Sequence, residues 1–215
     1  MQVRPVFHPD LPCQDNRFSD LLGQKAWLRL PAAIRRRFGK RVRGGESVAY
    51  QGVITRMQMS WAGWMLAQAT RLIGAPLPYD RGCIGKPAVV VVTEDIAGNG
   101  QFWIRQYGRT SSFPQMIHSS KRFSGPTGLE EYIGYGIGMA LDVVEKDGAL
   151  LFKSNHYFLC MFGKRMRIPN LIAPGALIIG HHDLGAGRFR FSMHLTHKLL
   201  GDVLCQEAEF FDGRG

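Results

Sequence analysis

Apolar residues recur at helical spacing in the first part of the chain, between residues 17 and 38. Pro31 interrupts this pattern, and because proline is well tolerated in the first turn of a helix, it predicts the start of a second short helix. Arg35, Arg36 and Arg37 make one face of that second helix strongly basic. Residues 1–16 have no apolar core of their own, so we expect a flexible N-terminal tail followed by a single domain, 17–215.

A second apolar segment spans residues 61–73 and contains Trp61, Trp64 and Leu72. It is shorter than the ~20 residues that a membrane-spanning helix needs, and a Gly- and Pro-rich stretch ends it. We expect a helix that packs across a sheet, and a helix at a membrane interface is the alternative.

Most of the remaining chain has the pattern of β-strands, with short apolar runs separated by Gly and Asn turns. Asp147-Gly148 predicts a tight hairpin turn, because Asp-Gly favours the left-handed backbone of a two-residue loop. The predicted strands are 47–57, 88–95, 101–107, 131–145, 149–160, 176–182, 188–196 and 201–211.

One face of the predicted strand 131–145 carries Gly134, Gly136, Gly138 and Ala140. Glycine packs nothing and loses entropy in a strand, so three at alternate positions indicate curvature or the close approach of another group. That group is either the 61–73 helix or a ligand. The patterns together predict an α+β fold with a strongly curved, mostly antiparallel, half-barrel-like sheet packed on one or two helices.

The charge balance favours an anionic partner. The chain has 27 Lys and Arg against 17 Asp and Glu, a net charge of +10, with Lys121-Arg122 among several short basic clusters. Nucleic acid, anionic lipid and phosphorylated small molecules all fit such a balance, as does a merely solvated surface. With no export signal, the four separated cysteines (Cys13, Cys83, Cys160 and Cys205) predict reduced thiols in a cytoplasmic protein, with peripheral attachment to the inner membrane face as an option.

No motif for catalysis, nucleotide binding or metal binding occurs in the chain. His181 and His182 would point to opposite faces of a strand, so neither they nor His194 predict a metal site, and no cofactor is expected. Glu130-Glu131 lies at a predicted strand start, where carboxylates commonly meet water. An enzyme without a recognisable motif remains an alternative. It would need a cluster of titratable groups in one cleft, and the candidates are His156, His181 and Glu207.

Four groups of short sequence motifs occur in a characteristic order. They are Leu22-Gly23 with Trp27 and Leu30-Pro31; Trp103-Ile104-Arg105 with Ser111-Ser112-Phe113; Gly163-Lys164-Arg165 with Ile168-Pro169 and Pro174; and Gly187-Arg188-Phe189-Arg190-Phe191 with Leu200-Gly201-Asp202-Val203. In this order they resemble the domain-of-unknown-function 4166 family, an uncharacterised bacterial domain sometimes fused to saccharopine-dehydrogenase-like Rossmann domains. The resemblance implies no activity. It implies a Rossmann-type oxidoreductase as a candidate partner, for which the chain would be an interaction module.

The glycine face, the apolar 61–73 segment and the basic clusters together suggest that the domain binds an amphipathic or lipid-like anionic ligand. The predicted apolar contacts are Trp64, Trp103, Tyr135 and Met139, and the predicted contacts with the anionic head group are Arg105 and Arg190. Nucleic-acid binding is the competing interpretation, because aromatic and basic residues interleave between Phe102 and Arg109. It has no accompanying RRM, OB or helix-turn-helix signature, and we favour the ligand.

Overall fold

The computed structural model describes residues 14–43 and 45–212, so the predicted tail up to Cys13 lies outside the described residues. Gln14 already pairs with Lys40 in an isolated β-bridge. The helices are α1 Arg17–Leu22, α2 Gln24–Arg29, α3 Ala32–Phe38 and α4 Trp61–Ala69, and a 3₁₀ turn Thr70–Ile73 continues α4. No helix among the described residues is long and apolar enough to cross a membrane.

Eleven strands account for most of the described chain. They are β1 Ser47–Met59, β2 Pro87–Asp95, β3 Gly100–Tyr107, β4 Gln115–Arg122, β5 Glu130–Gly134, β6 Ile137–Lys146, β7 Ala149–Met161, β8 Lys164–Arg167, β9 Ala176–Gly185, β10 Arg188–His197 and β11 Gly201–Phe211. The mostly antiparallel character predicted from the sequence is confirmed, since every pairing between these strands is antiparallel.

The sheet closes into a barrel of ten strands, where the sequence predicted only a half-barrel. From β1 to β7 and from β9 to β11 each strand pairs with the next one along the chain, β7 also pairs with β9, and β11 returns to pair with β1. β8 stands outside this ring and pairs only with the end of β7. Strand β4, which the sequence analysis did not predict, completes the circle.

The predicted strand 131–145 is wrong as a single element, because the chain turns back on itself at its glycines. Gly134, Tyr135 and Gly136 have φ angles of 103°, 53° and 75°, and they form the turn between β5 and β6. A side chain at Gly138 would overlap the ring of Phe158 on β7. The group that approaches Gly136 and Gly138 is therefore the neighbouring strand β7, where the sequence analysis expected the 61–73 helix or a ligand.

The two ends of the barrel are covered differently. α4 follows β1 and lies at one end, here called the α4 end, while α1–α3 cover the other, the α3 end. At the α3 end, Phe18 and Phe38 are buried, and the Phe18 ring makes edge-on contacts with Phe38 at 5.2 Å and with Phe152 at 5.9 Å. Aromatic packing therefore covers part of this end, and Pro31 precedes α3 as its N-cap, where the sequence predicts that the helix begins.

Close packing of its backbone on β11 positions α4. Ser60 caps the helix by accepting a hydrogen bond from the Gly63 N–H at 3.1 Å. A Cβ at Gly63 would overlap the carbonyl oxygen of Val203, so only glycine lets the helix approach this closely.

Gly63→Ala is expected to destabilise the protein, although alanine is the better helix former by about 1 kcal/mol. The added methyl group meets a backbone atom that cannot rotate away, and overpacking of this kind costs about 1–3 kcal/mol. Denaturant unfolding measures the difference. Ala69→Gly, on the exposed side of the same helix, reports helix propensity alone. A Gly63→Ala protein that is more stable than wild type would contradict the packing.

Candidate functional site

A layer of charged side chains divides the interior of the barrel. Arg105 on β3, Lys121 on β4 and Glu131 on β5 are each almost completely buried. Lys121 and Glu131 are direct cross-strand partners in the β4–β5 ladder, so the fold itself brings these two charges together.

Glu131 accepts hydrogen bonds from both cations. Its Oε2 receives the Lys121 Nζ at 2.8 Å, and its Oε1 receives the Arg105 Nη2 at 3.2 Å. The hydroxyl of Ser119 donates to the same Oε1 at 2.6 Å and accepts from the Arg105 Nη1 at 3.2 Å. The Nε of Arg105 has no hydrogen-bond partner among the described residues.

These contacts fix the ionisation of the cluster. Burial alone would raise the pKa of Glu131, but the charges of Lys121 and Arg105 lower it to about 2. Burial lowers the pKa of Lys121 to about 8, against the opposing attraction of Glu131. At neutral pH the cluster therefore holds two positive charges and one negative charge inside the barrel.

An apolar chamber lies between this cluster and the α4 end. Its volume is about 220 Å³, and Arg105, Ser119 and Glu131 form its polar floor. Its walls are aliphatic apart from Tyr157, and its roof consists of residues from the 3₁₀ turn, from the segment just after that turn and from the connection that follows β8. The roof residues are Thr70, Ile73, Pro76, Leu77, Ile168, Ile172 and Pro174.

A second chamber of about 430 Å³ lies toward the α3 end, and aromatic rings, valines and the basic residues Arg36, Arg37 and Lys40 line it. Arg37 at its edge is already neutralised, with Nε 2.6 Å from Asp212 and Nη2 3.6 Å from Asp183. His181 lies in its wall, 4.8 Å from the Phe38 ring. Burial holds the pKa of His181 well below its usual range, and neighbouring cations act in the same direction, so the imidazole is neutral at pH 7.

The structure places three of the predicted ligand contacts inside the barrel. Arg105 and Met139 line the chamber at the α4 end, and Trp103 lines the chamber at the α3 end.

The other three predicted contacts lie elsewhere. Trp64 is on α4 and Tyr135 is on the β5–β6 turn, and both are exposed. Arg190 alternates along β10 with residues of the interior, so it lies on the outer wall, 3.4 Å from Glu207.

The residues suggested for an enzyme do not form one site. His181 lies inside the barrel, His156 lies on the outer wall of β7, and Glu207 lies on the outer wall of β11. In the described part of the chain no group of three His, Cys, Asp or Glu residues is placed to hold a metal ion. Burial raises the pKa of the Cys83 thiol to about 11, which makes it a poor nucleophile.

The nucleic-acid interpretation depended on the aromatic and basic residues of β3. Trp103, Arg105 and Tyr107 are buried, since alternate residues of this strand point into the barrel, and only Phe102 is exposed. These three side chains are therefore not available to stack on bases at the surface.

Sequence reasoning missed Lys121 and Glu131 as interior residues. Lys121 was assigned to a basic surface cluster, and Glu131 was expected to meet water at a strand start, but each is at most 2% exposed. The alternation of Ile117, Ser119 and Lys121 along β4 was the available signal. It could not be used without the register that pairs Lys121 with Glu131.

Glu131→Gln is expected to cost about 3–5 kcal/mol of unfolding free energy, because it leaves Arg105 and Lys121 buried without a countercharge. Because its pKa is lowered from 4.5 to about 2, Glu131 contributes stability that is present above pH 4.5 and is lost as the pH falls toward 2. The unfolding free energy of the Glu131→Gln variant should therefore not fall over this pH range for that reason. Urea unfolding between pH 7 and pH 2 measures both effects.

Glu207→Gln is the matched control, because it removes the Glu207 contact with Arg56 on the outer wall at 3.2 Å. A surface pair of this kind contributes about 0–1 kcal/mol. Equal losses of unfolding free energy in the two variants would show that the interior cluster stabilises the protein no more than a surface ion pair does.

Comparison with known proteins places the whole barrel in one family. A family model described as "Domain of unknown function (DUF4166)" matches residues 30–210, from the residue after α2 to the penultimate residue of β11. No curated protein and no solved structure matches the chain significantly. The matched segment contains every strand of the barrel and all three residues of the charged cluster. The chain therefore belongs to the DUF4166 family.

Proposed function

We propose that the protein binds a small amphipathic anion in the chamber at the α4 end, with the anionic group at Arg105 and the apolar part toward the roof. The observation that carries this proposal is the buried cluster of two cations and one carboxylate, which reaches the floor of an otherwise apolar chamber through Arg105 and Glu131. This single arrangement offers both of the environments that an amphipathic anion needs.

The charge argument starts from the cost of burying ions. An isolated charge in a protein interior is strongly unfavourable, and Glu131 compensates only one of its two cationic neighbours. An anion at the chamber floor would neutralise the cluster. It would also accept a hydrogen bond from the Arg105 Nε, which has no partner among the described residues.

The size and walls of the chamber restrict the apolar part. Ligand pockets usually measure about 300–1,000 Å³, so a chamber of about 220 Å³ suits a small ligand. Its volume corresponds to about seven water molecules at ~30 Å³ each. Ile133, Ile137 and Met139 offer an aliphatic wall with no hydrogen-bonding groups on their side chains. A short alkyl carboxylate such as octanoate is therefore a suitable probe.

Arg105→Met is expected to weaken octanoate binding about tenfold to a hundredfold, since a hydrogen bond to a charged group is worth about 1.5–3 kcal/mol. The variant should fold, because Lys121 still pairs with Glu131 after the substitution. Isothermal titration with octanoate and with 1-octanol measures the effect. The alcohol should bind the wild type more weakly than the carboxylate and should be insensitive to the substitution.

Arg190→Met is the matched control, because it removes an arginine from the outer wall and leaves the interior unchanged. It should bind octanoate like the wild type. Equal binding of octanoate and octanol by the wild type, or an equal loss in both arginine variants, would refute the assignment of Arg105.

A further inference from the structure

Large apolar side chains project into solvent from every connection at the α4 end. Each of these connections presents at least one that is between 73% and 92% exposed: Leu72, Phe113, Tyr135, Phe162, Leu171 and Leu199. Among the described connections at the α3 end, only Ile96 is comparable. The exposed apolar residues are therefore concentrated at one end of the barrel.

The same end is strongly basic. Its connections together with β8 contain eight Lys and Arg residues and one acidic residue, Asp80, and a second acidic residue, Asp202, lies beside them at the start of β11. The Asp80 carboxylate is engaged by the backbone N–H groups of Gly82 at 2.9 Å and Thr110 at 3.0 Å. Arg71 and Arg109 lie over the ring of Tyr79, at 5.1 Å and 4.9 Å from its centroid.

The β7–β8 hairpin shows how apolar and basic groups alternate at this end. Phe162 is at its tip, in a tight turn with φ of 52°, and is 92% exposed. Exposed Lys164 and Arg167 follow in β8. Arg165 holds the hairpin against the wall, because its guanidinium pairs with buried Glu130 and lies 3.7 Å from the Phe158 ring centroid. The ion pair and the ring contact of Arg165 thus hold the hairpin tip in place.

We infer that the α4 end is a docking surface for an anionic lipid bilayer. Single apolar residues on separate connections can each enter the interfacial region, while the surrounding Lys and Arg side chains meet anionic head groups. The excess of eight basic residues over Asp80 and Asp202 at this end matches a negatively charged lipid surface.

The ligand chamber opens toward this same surface. Ile172 lines the chamber at the α4 end and is also 74% exposed at the rim. Docking would therefore place the roof of the chamber against the acyl region of the bilayer. This inference goes beyond the proposed function, because docking does not require that the chamber hold a ligand.

Vesicle flotation with the full chain tests the inference. Vesicles of phosphatidylglycerol and phosphatidylcholine should bind the protein at least about tenfold more strongly than phosphatidylcholine vesicles, since each basic residue near an anionic surface adds to the attraction. Binding should fall steeply as the salt concentration approaches 1 M, where the screening length is only ~3 Å. No binding to the anionic vesicles would overturn the inference.

Phe162→Ser should lower anionic-vesicle binding about tenfold, because it removes the residue at the hairpin tip from the interfacial region. Ile96→Ser makes the same kind of apolar-to-polar change at the α3 end and should leave binding unchanged. Equal losses in both variants would overturn the inference. So would light scattering that shows a wild-type dimer made monomeric by Phe162→Ser, because the surface would then join two copies of the chain.

Arg105→Met separates this inference from the proposed function. If both hold, the variant loses octanoate binding and retains vesicle binding. Vesicle binding without octanoate binding in the wild type would support docking and refute the ligand. Octanoate binding without vesicle binding would support the ligand and refute docking.

Discussion

Glu131 must accept from Arg105 and Lys121 at once, because all three side chains are buried inside a closed barrel and Glu131 is the carboxylate that pairs with both cations. Leaving either cation without this carboxylate would cost several kcal/mol, a large fraction of the stability of a typical domain. The β4–β5 register that places Lys121 opposite Glu131 is therefore under strong constraint. A slip of one residue would turn both charges to the outer wall and replace them with their neighbours.

The charged layer also explains why the interior has two chambers. Ten strands enclose a wider space than the eight that side chains can fill alone, so part of the interior must stay open or be occupied. Lys121 spans the middle, with its Nζ 4.9 Å from the ring centroid of Trp103 and 5.5 Å from that of Phe152. The chamber toward the α3 end lies on one side of this layer and the aliphatic chamber on the other. Only the aliphatic chamber has the Arg105–Glu131 pair as its floor.

The sequence predicted local elements much better than it predicted how they assemble. β11 was predicted with its exact bounds, and the Asp147-Gly148 turn has the expected positive φ at both residues. β4 was missed because its alternation brings polar Ser119 and charged Lys121 to the interior, where apolar residues are the usual signal. Arg105 was singled out as an anion contact for its charge alone. Its partners come from two other strands, so they were not visible without strand order and register.

Closure of the barrel gives Arg105 a different electrostatic environment from that of a surface arginine. In an open half-barrel, Arg105 would face a solvated groove, and its charge would be screened like that of any surface arginine. Inside a closed barrel the same charge acts in a medium of low dielectric constant, where its interaction with an anion is several-fold stronger. Access must then come through an end. α1–α3 pack aromatic rings over part of one end, whereas a 3₁₀ turn and exposed connections roof the other. The chamber floored by Arg105 lies on the α4 side of the charged layer, and segments with few buried contacts open at the lowest free-energy cost, so the proposed ligand would reach Arg105 through the α4 end.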